Sequence, residues 1–397
     1  MLNKKQIRYL TSILALIVML TPSLVFAQEG SEPVMPEYSE TIQGLPICAP
    51  GVYLTDPHDC LPYGPSAILT DWARKGLTLP PKPAPGAHPN SSYNEIDQKY
   101  AKLNISFEEQ ATFYPNIDSA AIGQGGLRSL PSGDNLYITY ASASYIDGRP
   151  YLQTHKGEWI RASPLVVSNF QGLVFKVPPA SDFGWIVDLA TPRIQPDINS
   201  ATIGEPLNRE SVVNVYDKLE AQGTTWYMIG MNQWVDRTKI RVLSPKSEAP
   251  EGVDNGRWIE INLEEQVLSV YENNQLIFAT LIATGYEPYY TQPGLFQIYE
   301  KLDFETMQGS FSAGKTDFYY LENVPWTLYY DGPRAIHGAY WRTYFGYEQS
   351  HGCVNLSIGD SRWVYEWAEV GDYVYVHDPS GRTPTDPEFY KEGVPAF

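Results

Sequence analysis

The chain changes texture three times along its length, and each texture predicts a different kind of structure. Leu10 to Val25 is a mostly apolar run. From there to residue 105 the apolar positions keep no period, and twelve prolines fall between Pro33 and Pro89. Only residues 66–76, with Pro65 before them and Gly76 closing them, read as a short helix. Residues 106–244 alternate in short segments split by Gly, Asp, Asn and Pro, the pattern of small antiparallel β units. Beyond Gly256 the alternation lengthens. Residues 258–263 and 267–272 alternate, 276–284 form a longer apolar strand, and Asn273-Asn274 is a hairpin turn between the last two. One convincing helix lies at about residues 360–369, where Trp363, Val364 and Trp367 recur at three- and four-residue spacing. Gly371 ends it, and residues 372–377 return as a strand. The pattern predicts a mainly β protein with one principal helix in its last domain.

The apolar start has a basic flank, Lys4, Lys5 and Arg8, and a small-x-small site at Val25-Phe26-Ala27. Residues 1–27 therefore read as a secretory signal peptide. The run is shorter than the ~20 residues a spanning helix needs, and Thr21 and Pro22 interrupt it. No stable membrane span is expected after cleavage, and an extracytoplasmic, secreted protein is. Residues 28–105 form an extended, proline-rich arm in which "PPKPAPGAHP" is a polyproline-type spacer. Cys48 and Cys60 lie in this arm, and in an oxidising compartment they predict a local disulfide, worth about 3 kcal/mol in the chain-entropy model. His58 and Asp59 beside Cys60 have irregular spacing for zinc, so no metal is expected.

An internal repeat organises the middle. "YPNIDSAAIG" at Tyr114–Gly123 matches "QPDINSATIG" at Gln195–Gly204, and Gly148–Leu165 matches Gly223–Ile240 with Trp159 on Trp234. Two small β-barrel repeats follow, at 106–168 and 183–244. They resemble bacterial Src-homology-3-like barrels, modules often attached to cell-wall enzymes. Tyr137, Tyr140 and Tyr145 either present a wall-binding surface or fill a small core. His155 reads as an exposed strand or turn residue. Residues 245–255 are a polar linker, 256–378 the last β domain, and 379–397 an irregular tail.

Charge narrows the partners. The chain carries −18, and losing the leader with its three basic residues takes this to −21. That excludes a nucleic-acid binder and adsorption to an anionic membrane, both of which need clustered Lys and Arg.

The third cysteine carries the chemistry. If Cys48 and Cys60 pair, Cys353 in "QSHGCVNLS" is left as a free thiol in an exported chain. His351 stands two positions away, Gly352 leaves the approach open, and a second His-Gly lies upstream at His337-Gly338. A thiol needs an imidazole to take its proton or hold its thiolate, so Cys plus His is a minimal acyl-transfer pair. Backbone N–H groups around Gly352 are candidates for an oxyanion site. His377 ends a strand without partners.

The stretch "IHGAYWRTYFGYEQSHGCVNL" resembles the signature of the L,D-transpeptidase catalytic domain, a His-Gly followed by a Ser/Thr-His-Gly-Cys block. The resemblance covers about residues 256–377. It implies an antiparallel β catalytic domain that acts outside the cytoplasm on peptidoglycan stem peptides, without metal or organic cofactor. It makes Cys353 the nucleophile and His337 the general base. His351 and Gly352 shape the thiolate and oxyanion environment, while Ser350, Asn355 and Gly338 support the loop. It also implies cell-wall association and carbapenem sensitivity, with a covering lid somewhere in residues 285–330. The expected reaction transfers a tetrapeptide stem to a diamino-acid amine and releases D-alanine. L,D-carboxypeptidase activity, protein-to-wall anchoring by the same acyl-enzyme, and non-catalytic wall binding remain the alternatives. A papain-like protease fits less well, since its Cys precedes its His in the chain.

Overall fold

The alternating residues after Gly256 become three consecutive antiparallel strands, Arg257–Asn262, Val267–Glu272 and Gln275–Leu281. Asn273 and Asn274 make the tight turn between the last two at φ of 52° and 60°, a left-handed pair that asparagine tolerates. The computed structural model describes residues 66–77, 82–106, 109–179, 181–310 and 318–390. The leader, Cys48, Cys60 and residues 391–397 lie outside the described residues.

Two open sheets face each other across the catalytic core. One is six-stranded, in the order Gly294–Gln297, Tyr373–His377, Arg257–Asn262, Val267–Glu272, Gln275–Leu281, Leu173–Val174. The other begins with Val354–Leu356, Arg334–Gly338 and the long strand Tyr319–Asp331, which also forms a hairpin with Glu300–Gly309. Ile259, Ile261, Leu328, Ile336, Val354 and Val364 fill the space between them. The principal helix runs Ile358–Trp367, starting earlier than the apolar spacing indicates. Ser357 caps it by accepting the Asp360 N–H at 3.2 Å, so the helix begins where a cap is available. Trp363 stacks on Phe278 at 4.2 Å and fixes the helix to the six-stranded sheet. Among the described residues no helix is long and apolar enough to cross a membrane.

The repeated sequence blocks take the same local path. Ser142–Ile146, Arg149–Gln153 and Trp159–Pro164 form one meander, and Asp217–Ala221, Thr224–Gly230 and Gln233–Asp236 form another. Trp159 exchanges backbone hydrogen bonds with Tyr114, and Trp234 does so with Arg193. The copies differ where Asn116 caps a short helix, Ile117–Ile122, by accepting the Ser119 N–H at 2.8 Å.

Neither block stands apart from the last domain. Strand Asn135–Thr139 pairs parallel with the catalytic hairpin, Tyr319 opposite Asn135 and Leu321 opposite Tyr137, so the first block continues the catalytic sheet. The end of the arm is not extended spacer but a strand, Tyr100–Leu103, paired between Asn135–Thr139 and Trp159–Pro164, and its Tyr100 stacks on Tyr340 at 3.7 Å. The second block covers the outer face of the six-stranded sheet, with Phe183, Trp185 and Leu243 packed among Trp258, Tyr271 and Leu276. That explains why residues 258–261 are covered on both faces. Glu260, on the covered outer face, accepts from the hydroxyls of Ser269 and Tyr271 at 3.1 and 3.2 Å, and His377 Nε2 lies 2.9 Å from its Oε1. His377 thus has a carboxylate neighbour that sequence spacing did not reveal. Glu265, also buried, accepts the Val242 N–H at 2.8 Å and pairs with Arg237 at 2.5 Å, tying the catalytic turn to the second block.

Because Trp258 is fully buried between the second block and the catalytic sheet, Trp258→Ala is expected to cost about 3–5 kcal/mol. Chemical denaturation of the full chain checks this; a loss below about 1 kcal/mol would contradict the shared core.

Candidate active site

Cys353 sits at the start of strand Val354–Leu356, which pairs parallel with Arg334–Gly338. Ile336 lies opposite Val354 and His337 opposite Asn355. Side chains alternate along a strand, so Cys353 and Asn355 share one face, as do Ala335 and His337. The thiol is half-buried and donates to the Pro333 carbonyl at 3.9 Å. Burial raises its pKa, while the Ala335 N–H and Arg334 pull it down.

His337 is buried and turned by its neighbours. Arg342 Nε donates to Asn355 Oδ1 at 2.6 Å, which leaves the Asn355 Nδ2 end to donate to His337 Nε2 at 3.1 Å. The opposite nitrogen, Nδ1, therefore carries the proton and donates to the Gly338 carbonyl at 3.2 Å. Burial brings the imidazole down to about 4, so it is neutral at ordinary pH. Arg342 is itself half-buried, brought down to about 10 by desolvation, and also donates to Gln349 Oε1 at 3.0 Å.

The remaining residues form the loop around the thiol. Ser350 Oγ donates to the Cys353 carbonyl at 2.5 Å and accepts the Gly352 N–H at 3.2 Å. That second bond takes the Gly352 N–H out of the oxyanion role the sequence suggested. Gly352 has another requirement: its φ of 118° disfavours a side chain, and an added Cβ would lie 3.3 Å from Arg334 Nε. Thr291 Oγ1 donates to the Gly352 carbonyl at 2.8 Å and accepts the Gly285 N–H at 3.0 Å, binding the loop to residues 285–293. His351 does not join His337; its Nε2 lies 3.0 Å from the Tyr286 hydroxyl, and its ring packs against Tyr286 and Tyr289. Gly338 is required by close packing, since a Cβ there would stand 2.6 Å from Ser361 Oγ on the helix.

Both flanking regions brace this site. The second block holds the stretch between the two His-Gly pairs: Arg241 donates to the Gly346 carbonyl at 2.8 Å, and Tyr347 donates to the Val187 carbonyl at 3.1 Å. The tail, expected to be irregular, ends its described part in a helical turn, Pro387–Tyr390. The Tyr390 ring is buried under the Arg334 guanidinium at 5.0 Å, and Phe389 meets Tyr290 at 5.9 Å. Arg334, Arg342 and Thr291 were not picked out from sequence. The signal for Arg342 was available, a single cation inside the aromatic stretch "AYWRTYF".

The same segment of the chain is similar to known proteins. Residues 256–376 match the model of the YkuD L,D-transpeptidase catalytic domain, which is less than a third of the chain. A Bacillus subtilis (strain 168) protein named as an L,D-transpeptidase, YciB, is 25% identical over 137 residues, covering 33% of this chain and 71% of its own. A solved L,D-transpeptidase from Stackebrandtia nassauensis is 30% identical, with 32% of this chain and 57% of that one covered and a TM-score of 0.26. This chain thus spans little more than half of that structure. The catalytic domain of an E. faecium L,D-transpeptidase is 25% identical, with 32% of this chain and all of that one covered and a TM-score of 0.28. It has also been solved acylated by ertapenem. Residues 256–376 are therefore a YkuD-type L,D-transpeptidase catalytic domain, and the enzyme class it confers is that of an L,D-transpeptidase.

Proposed function

We propose that this chain is an exported, wall-associated enzyme that cross-links peptidoglycan stem peptides by cysteine acyl transfer. The observation that carries the reading is the placement of Cys353 and His337 on one face of the same parallel strand pair, inside the segment that matches the catalytic family. In the first half-reaction Cys353 sulfur bonds to the carbonyl of the third residue of a tetrapeptide stem. The bond to the terminal D-alanine breaks, and the departing amine takes up a proton. In the second half-reaction a side-chain amine of a diamino acid on another stem attacks the thioester, restoring the thiol. Neutral His337 is the proton acceptor, its Nε2 lone pair becoming available when the Asn355 amide yields. The leader sequence supports export, and carbapenems are expected to acylate the same thiol, as ertapenem acylates the E. faecium domain.

Purified full-length protein incubated with tetrapeptide muropeptides is expected to give cross-linked dimers with loss of D-alanine, detected by mass spectrometry. Cys353→Ser is expected to lower the rate by on the order of 10⁴ or more. Hydrolysed stems without dimers would make the enzyme a carboxypeptidase. Absence of any adduct on Cys353 with stem or carbapenem would favour a non-catalytic wall-binding protein.

Two ionisations set the pH dependence. Protonation of His337 removes the base, so the acid limb of kcat/KM is expected near pH 4 rather than at the ordinary imidazole value of about 6.5. The raised thiol keeps activity climbing on the alkaline side, past about pH 8.5. An acid limb at 6 to 7, about where unperturbed histidine titrates, would show that burial does not hold His337 neutral during turnover; a limb insensitive to His337→Asn would remove His337 as the base.

A further inference from the structure

The first block meets the catalytic domain where Asn135–Thr139 pairs with Tyr319–Asp331, and a cavity of about 230 Å³ lies at that seam, lined from both sides. None of the residues around the thiol lines it. Its floor is apolar, made by the buried Phe113 and Ile138. Drug-sized ligands take pockets of ~300 Å³ and above, so this one suits a single small residue. Glu322 forms part of the catalytic wall. Its Oε2 accepts the N–H and the hydroxyl of Thr139 at 2.7 and 3.1 Å, while its Oε1 has no partner among the described residues. Successive side chains of a regular strand point to opposite faces, but Asn323 lies at φ of 51°, and this break lets it line the cavity together with Glu322. Asn323 commits its Nδ2 to Thr139 Oγ1 at 3.4 Å, which leaves Oδ1 as a second spare acceptor. A half-buried carboxylate oxygen beside a spare amide oxygen is matched by a donor that carries positive charge. The opposite sign stands at the mouth, where Arg128, His155 and Lys156 are exposed. Glu158 takes Arg128 Nε at 2.8 Å and Nη2 at 2.6 Å, and the guanidinium lies over the Phe113 ring at 3.8 Å, so Nη1 is left over. With Glu158 taken up in this way, Lys156 makes no ion pair among the described residues.

We propose that this cavity binds an amino-acid head group, an ammonium and a carboxylate on one carbon, with the ammonium inward on Glu322 Oε1 and Asn323 Oδ1 and the carboxylate outward on Lys156 and Arg128 Nη1. A ligand of one sign satisfies only one end of the cavity, and a neutral one leaves both charges unmatched. Two sources of this chemistry follow from the proposed reaction, and their choice rests on that reading. One is the D-alanine released in the first half-reaction. The other is the side-chain end of a stem's diamino acid, where that end carries a carboxylate beside its amine. Because both blocks line the cavity, an occupied site also ties the first block to the catalytic hairpin.

Titration calorimetry on the full-length protein at neutral pH tests the site without turnover. The probes are D-alanine and a stem peptide carrying meso-diaminopimelate, with every amine and carboxyl blocked except the pair at the side-chain end. Saturable binding of either is expected, and which of the two saturates identifies the source. Alaninamide, which lacks the carboxylate, and propionate, which lacks the amine, are expected to bind about tenfold more weakly or worse. Glu322→Gln is expected to cost about tenfold or more, and the exposed Lys156→Gln several-fold, with Lys156→Arg restoring binding. Neither probe saturating, alaninamide or propionate binding as well as the whole head group, or undiminished binding in Lys156→Gln and Glu322→Gln alike would overturn the site. Saturable binding with no stem or carbapenem adduct on Cys353 would fault the transpeptidase reading and leave the site standing, and an adduct without binding would do the reverse.

Discussion

Strands Arg334–Gly338 and Val354–Leu356 run parallel with Ile336 opposite Val354, and this register decides which side chains meet at the site. A slip of one residue would send His337 into the core and turn Ile336 toward solvent. The core prevents the slip, because Ile336, Val354 and Leu356 are locked between the two sheets. Asn355 is held again from the other side, exchanging backbone hydrogen bonds with Ala283 at 2.9 and 3.0 Å. Hydrophobic packing thus sets the register, and the register sets the polar geometry. The hydrogen bonds from Arg342 through Asn355 to His337 then orient an imidazole that packing alone would leave free to flip.

The neighbouring blocks are part of this arrangement. Arg241 and Tyr347 tether the stretch between the two His-Gly pairs to the second block, beside its own bonds from Arg342 to Gln349. Tyr390 does the same for Arg334 from the C-terminal side. Site precision here comes from elements far apart in sequence, each supplying one contact to a loop carrying reactive groups.

Much of the catalytic domain was legible because its signals are local. Asn273-Asn274 marks a turn by its own backbone preferences, and Trp363, Val364 and Trp367 mark a helix by spacing. Cys353, His337 and Ser350 stood out through residue type and order. The illegible parts depend on what packs against what. Alternation in residues 258–263 marks a strand but does not tell that the second block covers its outer face. His377 gives no hint of Glu260, since the two meet only through the parallel pairing of their strands. The Gly352 N–H looked available until its bond to Ser350 Oγ was seen, and Arg334 carried no motif. The repeat was plain in sequence, but its merger with the catalytic sheet was not, because parallel pairing between distant strands leaves no local trace.

That merger bears on how the molecule comes to be folded. Thr139 donates its N–H to Glu322 at 2.7 Å across 183 positions of chain. The strand at Asn135–Thr139 is synthesised long before its partner Tyr319–Asp331 exists. Until then its outer edge is an unpaired row of backbone donors and acceptors, open to pairing with another molecule. The first block therefore completes itself last rather than first, and contacts of such long range slow the search for the native state. A chain built this way gains a site braced from three sides at the cost of a late, concerted assembly.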